Sequence, residues 1–187
     1  MKAINRFYAS TKYSSRAQFL NLGKKCIFIS HQKDDKDDAR AIAEYFQNAG
    51  IEVYFDEYDN DLRLQRENDK PNEVTMSICN GINNSSHMMV VVSPNTILST
   101  WVPFEIGYGY DKTELGAICL KGIPKGKLPE YIRTTKIIRD IYDLNIFIQQ
   151  LSGKTKEFLL ESRMMSDHTN YANPLHSVMD DLISDVY

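Results

Sequence analysis

Two short runs, Cys26-Ile27-Phe28-Ile29-Ser30 and Ile51-Glu52-Val53-Tyr54-Phe55, and the segment between them decide the fold. Each run is apolar, too brief for a helix and rich in strand-forming residues, so each predicts a β-strand. Between them lies the acidic cluster Asp34-Asp35-Lys36-Asp37-Asp38, followed by Ala39, Ile42, Ala43 and Phe46. Apolar residues at i, i+3, i+4 and i+7 predict an amphipathic helix, with carboxylates placed to cap its N-terminus and match its dipole. Asn48-Ala49-Gly50 closes it, and Gly50 suits the left-handed position after a helix. Strand, helix and strand in about 30 residues form a βαβ unit. A right-handed crossover makes its two strands parallel.

The pattern continues outward. Residues 57–71 are polar without a period and predict a loop. Residues 72–83 read as a helix on Val74, Ile78 and Ile82. Met88-Met89-Val90-Val91-Val92 is wholly apolar, as a parallel strand covered on both faces requires. Residues 96–111 predict a helix, Leu115 to Leu120 and Lys136 to Ile138 predict strands, and 143–151 predict another helix. The resulting class is α/β, a flavodoxin-like doubly wound parallel sheet. Residues 154–165 and 174–186 read as two further helices, with Asn173-Pro174 as the break between them. The chain thus divides into a basic N-terminal arm (1–23), an α/β domain (24–152) and a C-terminal helical extension (153–187).

Composition narrows the class. The chain has 187 residues, 42% apolar and 25% charged, which excludes disordered and fibrous proteins. It is long enough to bury a core without covalent staples. No run of 18 apolar residues occurs, so no membrane-spanning helix is expected. A net charge of −3 argues against nucleic-acid binding by overall basicity. Cys26, Cys79 and Cys119 are odd in number and not closely spaced, which reads as three reduced, buried thiols in a cytoplasmic protein. His31, His87, His168 and His176 form no ligand motif, so no metal is expected. The first 25 residues carry six basic residues and no acidic one. They lack the apolar region of a secretory signal. They match a transit peptide only in composition, and read as a short, partly helical arm lying against an acidic domain.

In an open α/β sheet, ligands bind beyond the carboxyl ends of the strands. That rule selects Ser30, His31, Gln32 and Lys33 after the first strand and Asp56, Glu57 and Asp59 after the second. After the third it selects Ser93, Pro94 and Asn95, leading into a helix that bears Trp101, Phe104 and Glu105. Residues 30–33 precede a helix N-terminus, where backbone N–H groups can hold phosphate. Trp101 and Glu105, four apart, share a helix face. They suit an aromatic wall with one carboxylate; the same spacing also serves a half-buried ring beside a solvated Glu. Other chemistries find no support. No G-x-G-x-x-G follows a strand, and Gly122 to Leu128 is one residue short of a P-loop and reads as a turn. No G-x-S-x-G is present. A phosphoacceptor receiver domain would place an Asp where Ser93 stands.

These residues resemble a known family. Cys26 to His31 followed by Asp34-Asp35 resembles the first box of Toll/interleukin-1 receptor (TIR) domains, and Gly50 to Asp56 resembles the second, leading into the BB loop. Ser85 to Asn95 and then Ser99-Thr100-Trp101-Val102-Pro103-Phe104-Glu105-Ile106 resemble the apolar strand and the S-x-W-x-x-x-E segment. The likeness covers about residues 24–152. Two departures stand out: the segment from Asp59 to Glu73 is long, charged and without the usual Gly or Pro-Gly centre, and the tail beyond Lys154 is not TIR core.

The resemblance, of the stand-alone bacterial anti-phage type, implies an enzyme that cleaves NAD+ at the nicotinamide–ribose bond. Its product is an ADP-ribose-derived, cyclic or linear signal that activates a separate effector. It implies Glu105 as catalytic residue and Trp101, Ser30, His31, Gln32, Lys33, Asp56 and Phe104 around the substrate. NAD+ is then a substrate and no resident cofactor is needed. It also implies self-association through TIR surfaces, with Asp59–Glu73 in that role. Other TIR domains are non-catalytic adaptors that assemble by homotypic contacts, and that reading stays open here. So does, more remotely, a nucleoside glycosyl-transfer enzyme on the same layout.

Overall fold

In the computed structural model, which describes residues 2–8, 23–55, 71–124 and 128–183, the two apolar runs form β1 (Cys26–Ser30) and β2 (Glu52–Tyr54). They pair in parallel, with Ile27 opposite Val53. Helix α1 (Lys36–Asn48) connects them and buries Ala39, Ile42, Ala43 and Phe46, the four residues of its apolar stripe. Ile42 and Phe46 each contribute about 2 kcal/mol by leaving water, and the single methyls of Ala39 and Ala43 less than about 1 kcal/mol. Gly50 lies at φ +87°, and its N–H and that of Ile51 bond the carbonyls of Gln47 and Phe46 at 3.0 and 3.1 Å. The left-handed turn needs a residue without Cβ strain.

The remaining elements are α2 (Pro71–Asn83), β3 (His87–Val92), α3 (Trp101–Gly109), β4 (Glu114–Cys119), α4 (Glu130–Arg133), β5 (Lys136–Ile138), α5 (Ile141–Ser152) and α6 (Lys156–Glu161). The five strands form one parallel sheet in the order β2-β1-β3-β4-β5. Alternation along β3 shows why both faces are covered. Met88, Val90 and Val92 face one apolar cluster, with α2, α3 and α4, while Met89 and Val91 face the other, with α1 and α5. Order reverses between β1 and β3, so the loops after those two strands diverge and leave a crevice between them.

Three expectations need correction. The helix read over 96–111 is two pieces, a 3₁₀ turn at Thr96–Leu98 and then α3. The Ser99 hydroxyl accepts from the backbone N–H groups of Trp101 and Val102 at 3.3 and 3.1 Å. A side chain that caps a new helix ends the old one.

The helix read over 154–165 shrinks to α6, and that read over 174–186 is absent from the described residues 174–183, which form turns. Leu175, Val178 and Met179 are buried at helical spacing, but the backbone is committed elsewhere. Lys121 N–H bonds the Val178 carbonyl, Ile141 and Tyr142 N–H bond Asp180 and Asp181, and Asp140 bridges Asp180. The Asn173 side chain, on Ser166 and Asp167 carbonyls and the Leu175 N–H, holds the start. Leu159, Met165, Leu175, Val178 and Met179 all join the α1–α5 core cluster.

In the described part of the arm, residues 2–5 run irregularly up to a bridge at Asn5 and residues 6–8 form a turn and a bend; most of the rest of the arm, read as partly helical, lies outside the described residues. Asn5 bridges Val53 in parallel, placing the arm along the free edge of β2. Lys2 pairs with Glu44 and Arg6 with Glu52, which is the contact of basic arm on acidic domain that the charge pattern suggested. Among the described residues no helix is long and apolar enough to cross a membrane.

Candidate active site

The crevice beyond β1 and β3 holds a cavity of about 240 Å³. Its floor is the end of β1, with Phe28 and Ile29. The loop after β1 brings His31, Gln32 and Lys33; the loop before α3 and that helix bring Leu98, Ser99, Thr100, Trp101 and Glu105. Helix α2 adds Ser77 and Ile78, β2 adds Tyr54, and the N-terminal arm adds Phe7.

Glu105 is 7% exposed, so its carboxylate is not a solvated helix-surface charge. The Ser30 hydroxyl donates to its Oε2 at 2.5 Å, and Ser30 is itself buried at the end of β1. A carboxylate costs much free energy to bury unless hydrogen-bonded, and this bond meets part of that cost. Trp101 is half-buried one helical turn before Glu105, on the same cavity. Phe104 packs its ring edge-on against Trp101, centroids 5.9 Å apart.

A second polar contact ties the two loops together. Ser93 Oγ and Asn95 Nδ2 both donate to the Asp35 carboxylate, at 2.5 and 2.9 Å. Asp35 therefore points across to the end of β3 and makes no cap bond to α1; Gln32 Oε1 accepts from the Asp34 N–H instead. Burial, and the like charges of Asp35 and Asp37, hold the Asp38 carboxyl above its ordinary range. Negative charge thus crowds the start of α1, and that helix end is not the open phosphate site the sequence suggested.

The structure brings Ser30, His31, Gln32, Lys33, Trp101 and Glu105 to one crevice. His31 stands with its ring 5.0 Å from that of Phe55, and Lys33 is exposed at the rim. Phe104 does not line the cavity; it is 38% exposed and supports Trp101 from outside. Asp56, and all of the Asp59–Glu73 segment before Pro71, lie outside the described residues. Among the described residues no cluster of His, Cys, Asp and Glu has the arrangement of a metal site.

Sequence reasoning missed Phe7, Tyr54, Ser77 and Ile78. Tyr54 carried one usable signal: on a strand where Val53 and Phe55 face α1, it must face the opposite side. Phe7 carried none, since its arrival depends on the arm returning to the sheet edge.

The family model of the TIR domain matches residues 27–141. The chain is also 32% identical over 81 residues to a protein of Bacteroides thetaiotaomicron named 2′ cyclic ADP-D-ribose synthase BtTIR, covering 43% of this chain and 25% of that protein. A protein of Acinetobacter baumannii (strain 1295743) named 2′ cyclic ADP-D-ribose synthase AbTIR is likewise 32% identical over 81 residues, covering 43% of this chain and 27% of that one. The match thus spans about a quarter of either relative's length. With the matched residues running from β1 to the start of α5 and the sheet in flavodoxin-like order, the chain belongs to the TIR-domain family.

Proposed function

We propose that this chain cleaves NAD+ at the nicotinamide–ribose bond, with Glu105 as catalytic residue. The observation that carries the reading is a buried carboxylate, held by a serine hydroxyl, in a cavity that also presents a tryptophan face. The names of the two relatives support the choice of substrate.

The chemistry suits a single carboxylate. The C–N bond to the ribose breaks with both electrons going to the pyridinium nitrogen. Nicotinamide therefore leaves neutral and needs no proton. Positive charge develops on the ribose, as in glycoside hydrolysis. A preorganised carboxylate out of bulk water stabilises that charge more than it does the ground state. Trp101 stacks on the leaving ring. Ser30 orients the carboxylate, His31 and Gln32 border the ribose, and Lys33 meets the pyrophosphate from the rim. Water capture gives ADP-ribose; capture by a hydroxyl of the same molecule gives a cyclic product, the class for which both relatives are named. Self-assembly, a downstream effector and an anti-phage role follow from the resemblance and depend on such a product being made. A purely assembling module has no use for a buried carboxylate in a cavity, which disfavours the adaptor reading.

The test is to incubate the purified chain and its Glu105→Gln variant with NAD+ and to identify products by mass spectrometry. We expect nicotinamide and an ADP-ribose-derived product from the parent. With coincident thermal melts, the variant should lose about 10²-fold or more in rate. A variant keeping more than about a tenth of the parent rate, far above the loss expected from removing a stabilising charge, takes Glu105 out of the mechanism.

A further inference from the structure

We propose that the N-terminal arm is part of the substrate site, and that Phe7 is a substrate-contact residue offering an aromatic wall to a planar ring of the dinucleotide. This rests on the reading that the cavity takes NAD+. The family match begins at residue 27, so the arm lies outside it.

Phe7 is held at the cavity by dense anchoring of the residues just before it. Val53 N–H bonds the Ile4 carbonyl at 3.2 Å, and Arg6 N–H bonds the Val53 carbonyl at 2.7 Å. The Asn5 side chain closes a second pair on Phe55: its Nδ2 donates to the Phe55 carbonyl at 2.7 Å, and its Oδ1 accepts from the Phe55 N–H at 3.1 Å. Arg6 is 4% exposed. Its Nε donates to Glu52 at 2.5 Å and its Nη1 to the Asn84 carbonyl at 2.7 Å. A guanidinium buried with a carboxylate on one side and a backbone carbonyl on the other fixes the chain, because any shift leaves charge unpaired. Phe7 is the next residue.

The ring then joins a continuous aromatic series. Phe7 meets Tyr54 edge-on, centroids 5.7 Å apart at 82°, and Tyr54 stacks on Phe28 at 5.7 Å and 22°. All three line the cavity that holds Trp101 and Glu105. Behind them, Gly81 of α2 makes the fit possible: a Cβ there would lie 2.5 Å from the Tyr54 ring and 2.8 Å from that of Phe28. The Tyr54 and Phe28 rings thus rest directly on the α2 backbone, and Phe7 packs on Tyr54. A ligand entering the cavity therefore meets a firm aromatic wall, whose outermost member comes from the arm. Stacking on such a face recognises flat heteroaromatic rings without demanding a particular hydrogen-bond pattern.

The test uses the full chain with Phe7→Ala, Phe7→Leu and Phe7→Tyr, each first shown to melt with the parent. NAD+ affinity is read in a Glu105→Gln background from the fluorescence of Trp101, the single tryptophan, and KM and kcat in the parent background. We expect Phe7→Ala to weaken binding and raise KM about tenfold, the scale of one lost ring stack, with the change falling on KM rather than kcat. Phe7→Leu should lose as much, since it fills space without a π-face, and Phe7→Tyr should restore binding. If Phe7→Ala stays within about twofold of the parent, or Leu serves as well as Phe, the wall is packing alone and the proposal falls, while NAD+ cleavage stands. If the parent binds NAD+ but does not cleave it, and Phe7→Ala loses that binding, cleavage is wrong and the wall stands. If the parent does not bind NAD+, both are overturned.

Discussion

The Ser30 hydroxyl donates to the Glu105 carboxylate at 2.5 Å, joining the end of β1 to the second turn of α3 across 75 residues of sequence. The bond orients the carboxylate. Ser30→Ala removes that donor. We expect the rate of NAD+ cleavage to fall about tenfold, within the worth of one charge-assisted bond. Ser30→Thr should keep it. An unchanged rate in a folded Ser30→Ala protein shows that the hydroxyl does not position Glu105.

Asp35 binds Ser93 Oγ and Asn95 Nδ2 and so links the loop after β1 to the loop after β3. These loops carry facing parts of the cavity. Asp35→Ala leaves a buried serine hydroxyl without its acceptor and should cost about 2–3 kcal/mol in urea denaturation. Asp35→Asn keeps an acceptor but not the charge and should cost about 1 kcal/mol. Losses below about 0.5 kcal/mol for both, the range of ordinary surface changes, rule out the link.

Burial lowers the pKa of His87 from its ordinary 6.5; the Glu114 carboxylate, 3.2 Å from Nε2, works against this, and Lys25 and Lys136 reinforce it. The folded-state value is the depressed one. Below pH 6.5 the unfolded chain thus takes up a proton that the folded chain resists. The stability linked to His87 is fully present above that value and is lost as pH falls through the folded value. Melting temperature should drop as pH falls from about 7 towards 5, through the ordinary range of His titration, and His87→Gln should flatten the slope. Equal slopes remove His87 as the cause.

The three thiols are free, but they are not alike. Burial pushes Cys26 up to about 12 and raises Cys119, so neither offers a thiolate near neutral pH. Cys79 is half-buried, a correction to the expectation of three buried thiols. Iodoacetamide on the native protein should mark Cys79 first, with Cys26 and Cys119 reacting only in denaturant, as peptide mass spectrometry will show. Reducing agent should leave the melting temperature unchanged. Early labelling of Cys26 would mean that β1 opens in the native state.

Much of the fold was readable because its signals are local. The stripe of α1, the runs of β1 and β3 and the turn at Gly50 each depend on residues within one element. The misread parts share a cause. Asp35 looked like a cap by position, and residues 174–186 read as a helix, yet each is governed by a distant partner: Ser93 and Asn95 for the first, Lys121 just beyond β4 and the start of α5 for the second.

The sequence by itself determined which residues stand at the carboxyl ends of the strands, because periodicity places strand ends and parallel pairing points them one way. Those positions include Ser30, His31, Gln32 and Lys33, and the chain after the third strand leads into the helix that bears Trp101 and Glu105. Only the tertiary structure decided that Ser30 meets Glu105, that Glu105 is buried, that Phe104 stays outside and that Phe7 lines the cavity. The physical reason is that an apolar period sets only which face of an element is hidden. What lies against that face depends on strand order, on where loops diverge, and on which backbone groups remain for a returning arm or tail to satisfy.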